Sequence, residues 1–199
     1  MEIVLVRHGE TEWSRSGQHT SSTDLPLIEE GRRRAAELGP VLAEWEFSLV
    51  LTSPLRRARE TCELAGFGDR AEICEDLVEW NYGEYEGLTT PQIREQDPSW
   101  SLWTDGCPGG EQPAEVGARA DKVIERMRST DGKAPPSGAA DNSHNVVAFA
   151  HGHILRVLTA RWIGLGAAGG ARFALKAGAV CVLGFERETE VVQLWNRQV

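Results

Sequence analysis

The chain has 199 residues, 41% hydrophobic and 26% charged, which suits one compact domain with a sizeable core and excludes a disordered chain. With 30 acidic against 21 basic residues the net charge is −9, which excludes a broad surface for nucleic acid or an anionic membrane. Any anionic ligand therefore needs a local basic pocket. No apolar run approaches the roughly 20 residues that span a bilayer, and the first residues enter a strand pattern at once, so a cytoplasmic location is expected. The four cysteines, Cys62, Cys74, Cys107 and Cys181, form no C-x-x-C pair and are expected to stay reduced.

Glu2 to Val6 reads as a first strand, and Ala35, Leu38, Leu42 and Trp45 mark a helical stripe between about Ile28 and Trp45. Phe47 to Leu51 is a second apolar run. Ser53 is expected to cap a helix with Pro54 in its first turn, Leu55, Ala58, Cys62 and Ala65 on its apolar face and Gly66 at its end. Ala71 to Cys74 is a weak strand, Thr90 to Gln96 a short helix, and Val116, Ala120, Val123 and Met127 an amphipathic one. The polar stretch 129–145 reads as an exposed loop. Val146 to Ala150 is a buried strand before a helix carrying Ile154, Leu155, Leu158 and Trp162; two strands joined by a charged turn at Glu186-Arg187-Glu188 close the chain. The alternation predicts an α/β fold, a single domain over 1–199 with a mainly parallel sheet covered by helices on both faces.

Two strands end in imidazole and glycine: Arg7-His8-Gly9 and His151-Gly152-His153. Arg7-His8-Gly9 alone also fits a plain strand-end turn. If the two strands lie side by side and parallel, both loops meet where open α/β sheets build their sites, with helix N-terminal amides close by. A histidine with a free ring nitrogen is a nucleophile, and arginine grips an oxyanion in a bidentate way. Ser53-Pro54-Leu55-Arg56-Arg57-Ala58 brings more guanidinium to the same rim, although helical spacing does not choose among Arg56, Arg57 and Arg59. Among the acids, Glu75, Glu79, Glu84 and Glu86 compete on equal terms. Trp80 and Tyr82 fit either core or pocket wall.

Five blocks together resemble the histidine phosphatase, or phosphoglycerate-mutase-like, superfamily. They are Leu5 to Trp13, Thr23 to Leu27 with Gly31, Ser53 to Thr61, Glu79 to Gly87, and Ala150 to Arg156. The resemblance implies a three-layer α/β/α sandwich in which His8 attacks phosphorus, Arg7, Arg57 and His151 hold the phosphoryl oxygens, and Glu79 protonates the leaving oxygen. It places Ser14, Thr20, Ser21, Tyr82, Gly152 and His153 among substrate contacts, Ser14 standing where the family commonly has asparagine. The arginines supply the charge, so no metal and no cofactor is expected.

The acidic, aromatic segment Trp100 to Glu111 lacks the basic insertion typical of the mutase branch. The chain thus resembles the phosphatase branch, in particular bacterial mutase-like acid phosphatases and fungal sugar-bisphosphatases. The expected partner is a small phosphorylated metabolite such as a sugar phosphate, with a homodimer as the candidate assembly. Alternatives are a 2,3-bisphosphoglycerate-dependent mutase, a non-catalytic phosphate-binding module, and a metal site built from His144, His151 and His153.

Overall fold

The computed structural model describes residues 1–129 and 144–199. Apolar runs become strands, and stripes of 3.6-residue period become helices. The first half runs β1 (Ile3–Arg7), α1 (Glu12–Ser16), α2 (Glu29–Leu42), β2 (Phe47–Thr52), α3 (Arg56–Leu64) and β3 (Ala71–Ile73). The second runs α4 (Thr90–Gln96), α5 (Leu102–Asp105), α6 (Pro113–Arg128), β4 (Asn145–Ala150), α7 (Gly152–Trp162), β5 (Val180–Glu186) and β6 (Thr189–Arg197). The loop expected over 129–145 falls almost wholly on 130–143, outside the described residues. Among the described residues no helix is long and apolar enough to cross a membrane.

The six strands form one sheet in the order β3-β2-β4-β1-β5-β6. From β3 to β1 the pairings are parallel, and β5 and β6 add an antiparallel hairpin beside β1. Both faces of the central strands are covered. Ile3 and Leu5 of β1, with Val146 and Ala148 of β4, pack under α6 and α7. Val4, Val6, Val147 and Phe149 face the other way, against Leu38 and Leu42 of α2 and Cys62 of α3. This two-sided burial explains why β1 and β4 read as unbroken apolar runs, and it produces the expected three-layer sandwich. All four cysteines are buried and free.

Three local expectations need correction. Ser53 does not cap α3: the helix starts at Arg56, and Ser53 Oγ accepts instead from Leu55 N at 3.3 Å. The stripe of α2 stops at Leu42. Trp45 lies past the helix end, where its indole N–H donates to Glu2 at 2.6 Å. The short helices α1 and α5 were not expected, because they carry no apolar stripe long enough to show a period. α1 is held by a capping box in which Thr11 and Ser14 satisfy each other's backbone N–H groups.

The loop after β1 is pressed against the start of α2. A Cβ on Gly31 would lie 2.3 Å from the Glu10 carbonyl oxygen, and one on Gly9 would lie 2.6 Å from the Gly31 oxygen. Ile28 N donates to Glu10 O at 3.0 Å across the same contact. Helix propensity alone would make Gly31→Ala stabilising by about 1 kcal/mol. The clash is with backbone on both sides, so we expect Gly31→Ala to lower stability by about 1–3 kcal/mol, read as a lower urea midpoint; an unchanged or higher midpoint overturns the contact.

Candidate active site

Parallel pairing sets Arg7 opposite Ala150, so the next residues of each chain, His8 and His151, leave the sheet together. His8 N donates to Ala150 O at 2.9 Å, and the two imidazole centroids are 5.1 Å apart. The His8 ring nitrogen Nδ1 lies 2.7 Å from Gly9 O. A carbonyl only accepts, so Nδ1 carries the proton and Nε2 keeps its lone pair. Burial, then the neighbouring Arg57 and Arg7, hold the His8 imidazole well below its usual pKa. His8 is thus a neutral ring with a free nitrogen on the wall of a cavity of about 240 Å³.

Arg7 lines the same cavity. One Nη donates to Leu175 O at 2.5 Å, while among the described residues its buried Nε is left without a partner. An unpaired buried N–H beside an open pocket is a donor awaiting an acceptor. Gly152 makes room for this guanidinium, since a Cβ there would lie 3.3 Å from Arg7 Cζ and Nε.

Arg57 and His151 stand behind this front. Of the three arginines at the start of α3, Arg56 and Arg59 are exposed and Arg57 is fully buried. Arg57 Nε donates to His151 Nδ1 at 3.1 Å, and its Nη groups donate to the carbonyls of Thr23, Thr20 and Ser21. His151 must then carry its proton on Nε2, which donates to Ser53 Oγ at 2.7 Å. Burial, then Arg57, keep His151 neutral.

Glu79 alone of the four competing acids reaches the cavity. Its carboxylate accepts from His153 N at 3.0 Å and Ile154 N at 2.9 Å, two of the orphan amides that begin α7, and from Trp80 N at 2.9 Å. Glu75 and Glu84 are exposed. Glu86 accepts from Ser21 N and Thr23 N, and so clamps the loop whose carbonyls hold Arg57.

The remaining sequence candidates divide. Tyr82, Gly152, His153, Thr20 and Ser14 line the cavity. The Ser14 hydroxyl, however, is occupied in the α1 capping box, accepting from Thr11 N at 2.8 Å and donating to Thr11 O. Ser21 does not line the cavity; its amide goes to Glu86. Trp80 is core, with its indole N–H on Glu111 O. His144 and His151 sit at opposite ends of β4, about 20 Å apart at strand rise, so they cannot share an ion with His153. Among the described residues no group of three His, Cys, Asp or Glu stands close enough to hold a metal.

Sequence reasoning missed Gln18, His19, Thr90, Arg156 and Leu175 in the cavity wall. Arg156 was within reach of the helical period, three residues after His153 and four after Gly152 on α7. Gln18, His19 and Leu175 come from loops, and Thr90 is the first residue of α4, so no apolar period points to any of them. The tryptophan segment supports this wall from outside: Trp100 lies edge-on to His19, and Trp103 lies under Arg156 at 4.3 Å and beside His153.

With this geometry in place, comparison with known proteins is unambiguous about class. The sequence model of the histidine phosphatase superfamily (branch 1) matches residues 3–198, and the chain belongs to that superfamily. An acid phosphatase of Mycobacterium tuberculosis is 42% identical over 190 residues, covering 92% of this chain and 86% of the relative. A sedoheptulose 1,7-bisphosphatase of Saccharomyces cerevisiae is 37% identical over 186 residues, covering 82% and 68% respectively. The solved structure of an open reading frame product from Mycobacterium tuberculosis superposes with a TM-score of 0.89 at 38% identity, over 99% of this chain and 97% of that one. The protein is a phosphatase of this superfamily.

Four imidazoles in one site, three buried and that of His153 half-buried, leave a mark on stability. Burial is the largest cause in each case: His8, His151 and His153 are pushed well below the usual value, and His19 down to about 4. The unfolded chain takes up these protons near about pH 6.5 and the native state refuses them, so stability is full above that pH and falls as the pH drops. We expect a loss of up to about 1.4 kcal/mol per pH unit for each histidine, read as a urea midpoint that falls between about pH 6.5 and pH 4.5. His19→Gln should make that fall shallower, and an equally steep profile in the variant overturns the assignment.

Proposed function

We propose that this phosphatase hydrolyses a small phosphorylated metabolite, of the sugar-phosphate type, through a phosphohistidine on His8, with residues 1–199 acting as one catalytic domain. The observation that carries the reading is the His8 ring itself: neutral, with Nδ1–H committed to Gly9 O and Nε2 open to the cavity beside the unpartnered Arg7 Nε. The Glu79 carboxylate takes the proton of the bound phosphomonoester monoanion and delivers it to the leaving oxygen as Nε2 attacks phosphorus and the bond to that oxygen breaks. Water then attacks the phosphohistidine, Glu79 takes up its proton, and inorganic phosphate leaves with His8 restored.

Positive charge has to offset the phosphoryl oxygens, and Arg7 with Arg57 behind it supplies this without a metal. In this scheme His151 turns its Nε2–H from Ser53 to a phosphoryl oxygen. A positioned acid contributes on the order of 10²–10⁴-fold, which sets the scale for Glu79. The sugar-phosphate class is supported by the yeast relative named as a sugar bisphosphatase, and by the ring-lined wall of Tyr82, His19 and His153.

Phosphate-labelled substrate should leave an acid-labile, alkali-stable label on the wild type and none on His8→Ala. Glu79→Gln should lower kcat by about 10²–10⁴-fold for alkyl phosphates and by less for p-nitrophenyl phosphate, whose leaving group needs no proton. Label retained by His8→Ala overturns the mechanism. Faster conversion of 3-phosphoglycerate to 2-phosphoglycerate than to free phosphate would favour a mutase instead. Exhaustive chelation is expected to leave the rate unchanged.

A further inference from the structure

Beside Glu79 the cavity holds an imidazole that the phosphoryl-transfer scheme leaves without work. The backbone N–H of His153 donates to Glu79 Oε2, but its ring turns to Tyr82, whose hydroxyl oxygen lies 2.6 Å from Nδ1. That short contact admits two proton arrangements. Either Tyr82 donates to Nδ1 and the ring proton sits on Nε2, or Nδ1–H donates to Tyr82 and the phenolic proton has to go elsewhere.

The surroundings decide between them. Burial, then the Glu79 charge, push the Tyr82 phenol well above 10, so the hydroxyl keeps its proton. Among the described residues Nδ1 is its one hydrogen-bond partner, and a buried hydroxyl proton with no acceptor is costly. Glu79 Oε2 stands 3.9 Å from Nδ1, too far to draw a proton from that nitrogen. A doubly protonated ring is disfavoured as well, by burial first and then by Arg156, His19 and Arg7. Nδ1 is therefore the acceptor.

The other ring nitrogen then carries the proton. Among the described residues Nε2 has no protein partner, yet it is not sealed off, for Arg7 Nε is the one buried side-chain polar atom left unpaired among them. The half-buried ring, steadied edge-on by Trp103 and Trp80, therefore meets the cavity through Nε2–H. We propose that Tyr82 locks the tautomer of His153 so that its Nε2–H recognises an oxygen acceptor on the leaving group, of the kind a sugar hydroxyl supplies. This rests on the phosphatase scheme above for where the leaving group lies. A neutral donor suits the position: it holds a hydroxyl without adding another cation that would retain the phosphate product beside Arg7 and Arg57.

The first test needs no turnover. Nitrogen-15 NMR of the histidine rings in the wild-type protein should show His153 as the Nε2–H tautomer from about pH 6 to 8, and Tyr82→Phe should release it to a mixture. An Nδ1–H tautomer or an imidazolium in the wild type overturns the lock. In the second test, the ratio of kcat/KM for a sugar phosphate to that for p-nitrophenyl phosphate should fall about tenfold in His153→Phe, with partial recovery in His153→Gln, which keeps an N–H donor. Equal losses on both substrates mean a structural role and overturn the recognition contact. Failure of the wild type to form a phosphoenzyme would sink the catalytic scheme while leaving the NMR result to judge the lock by itself.

Discussion

The parallel pairing of β1 with β4, in the register that sets Arg7 opposite Ala150, is the constraint on which the site depends. A slip of one residue in either strand would turn its apolar side chains from one core to the other, because β1 and β4 are packed on both faces. The fit of side chains in the two cores therefore fixes register, and register delivers His8 and His151 to the same end of the sheet. The contact of Gly9 with Gly31 then pins the departing loop, so the His8 ring is aimed by backbone rather than by a flexible side chain.

From that placement the electrostatics follow. Two arginines and three imidazoles, buried or half-buried, cannot all be charged in so small a volume, and the imidazoles yield. Each neutral ring then needs a defined tautomer, and each finds a partner that imposes one: Gly9 O for His8, Arg57 Nε for His151 and Tyr82 for His153. The three partners lie on different elements, so the tautomers are a property of the assembled sandwich. The same burial that keeps His8 neutral makes the native state vulnerable to acid.

Around this centre, helix ends and loops are braced by carboxylates. Glu79 occupies the first amides of α7, and Glu86 holds the loop that carries the Arg57 acceptors. The tryptophan segment between Trp100 and Glu111 buttresses the wall of the cavity through Trp100 and Trp103. It acts on the wall only through what it supports, since neither ring is itself part of it.

By itself the sequence determined the fold class, because unbroken apolar strands and periodic helices state their burial directly, and it marked Arg7-His8 and His151-Gly152-His153 as strand-end residues of one site. Resemblance singled out Arg57 from its neighbours and Glu79 from three other acids, which spacing could not do. Only the tertiary structure showed why those two are different: one guanidinium is buried while Arg56 and Arg59 face solvent, and one carboxylate meets the start of α7. It also decided that Ser14 is committed to the Thr11 backbone and Ser21 to the Glu86 carboxylate and the Glu79 carbonyl, that Ser53 serves His151 rather than α3, and that His19 and Arg156 belong to the wall. These are matters of which hydrogen bond each polar group makes. Such choices are set by contacts between residues as far apart as Arg57 and His151, and no local pattern in the chain records them.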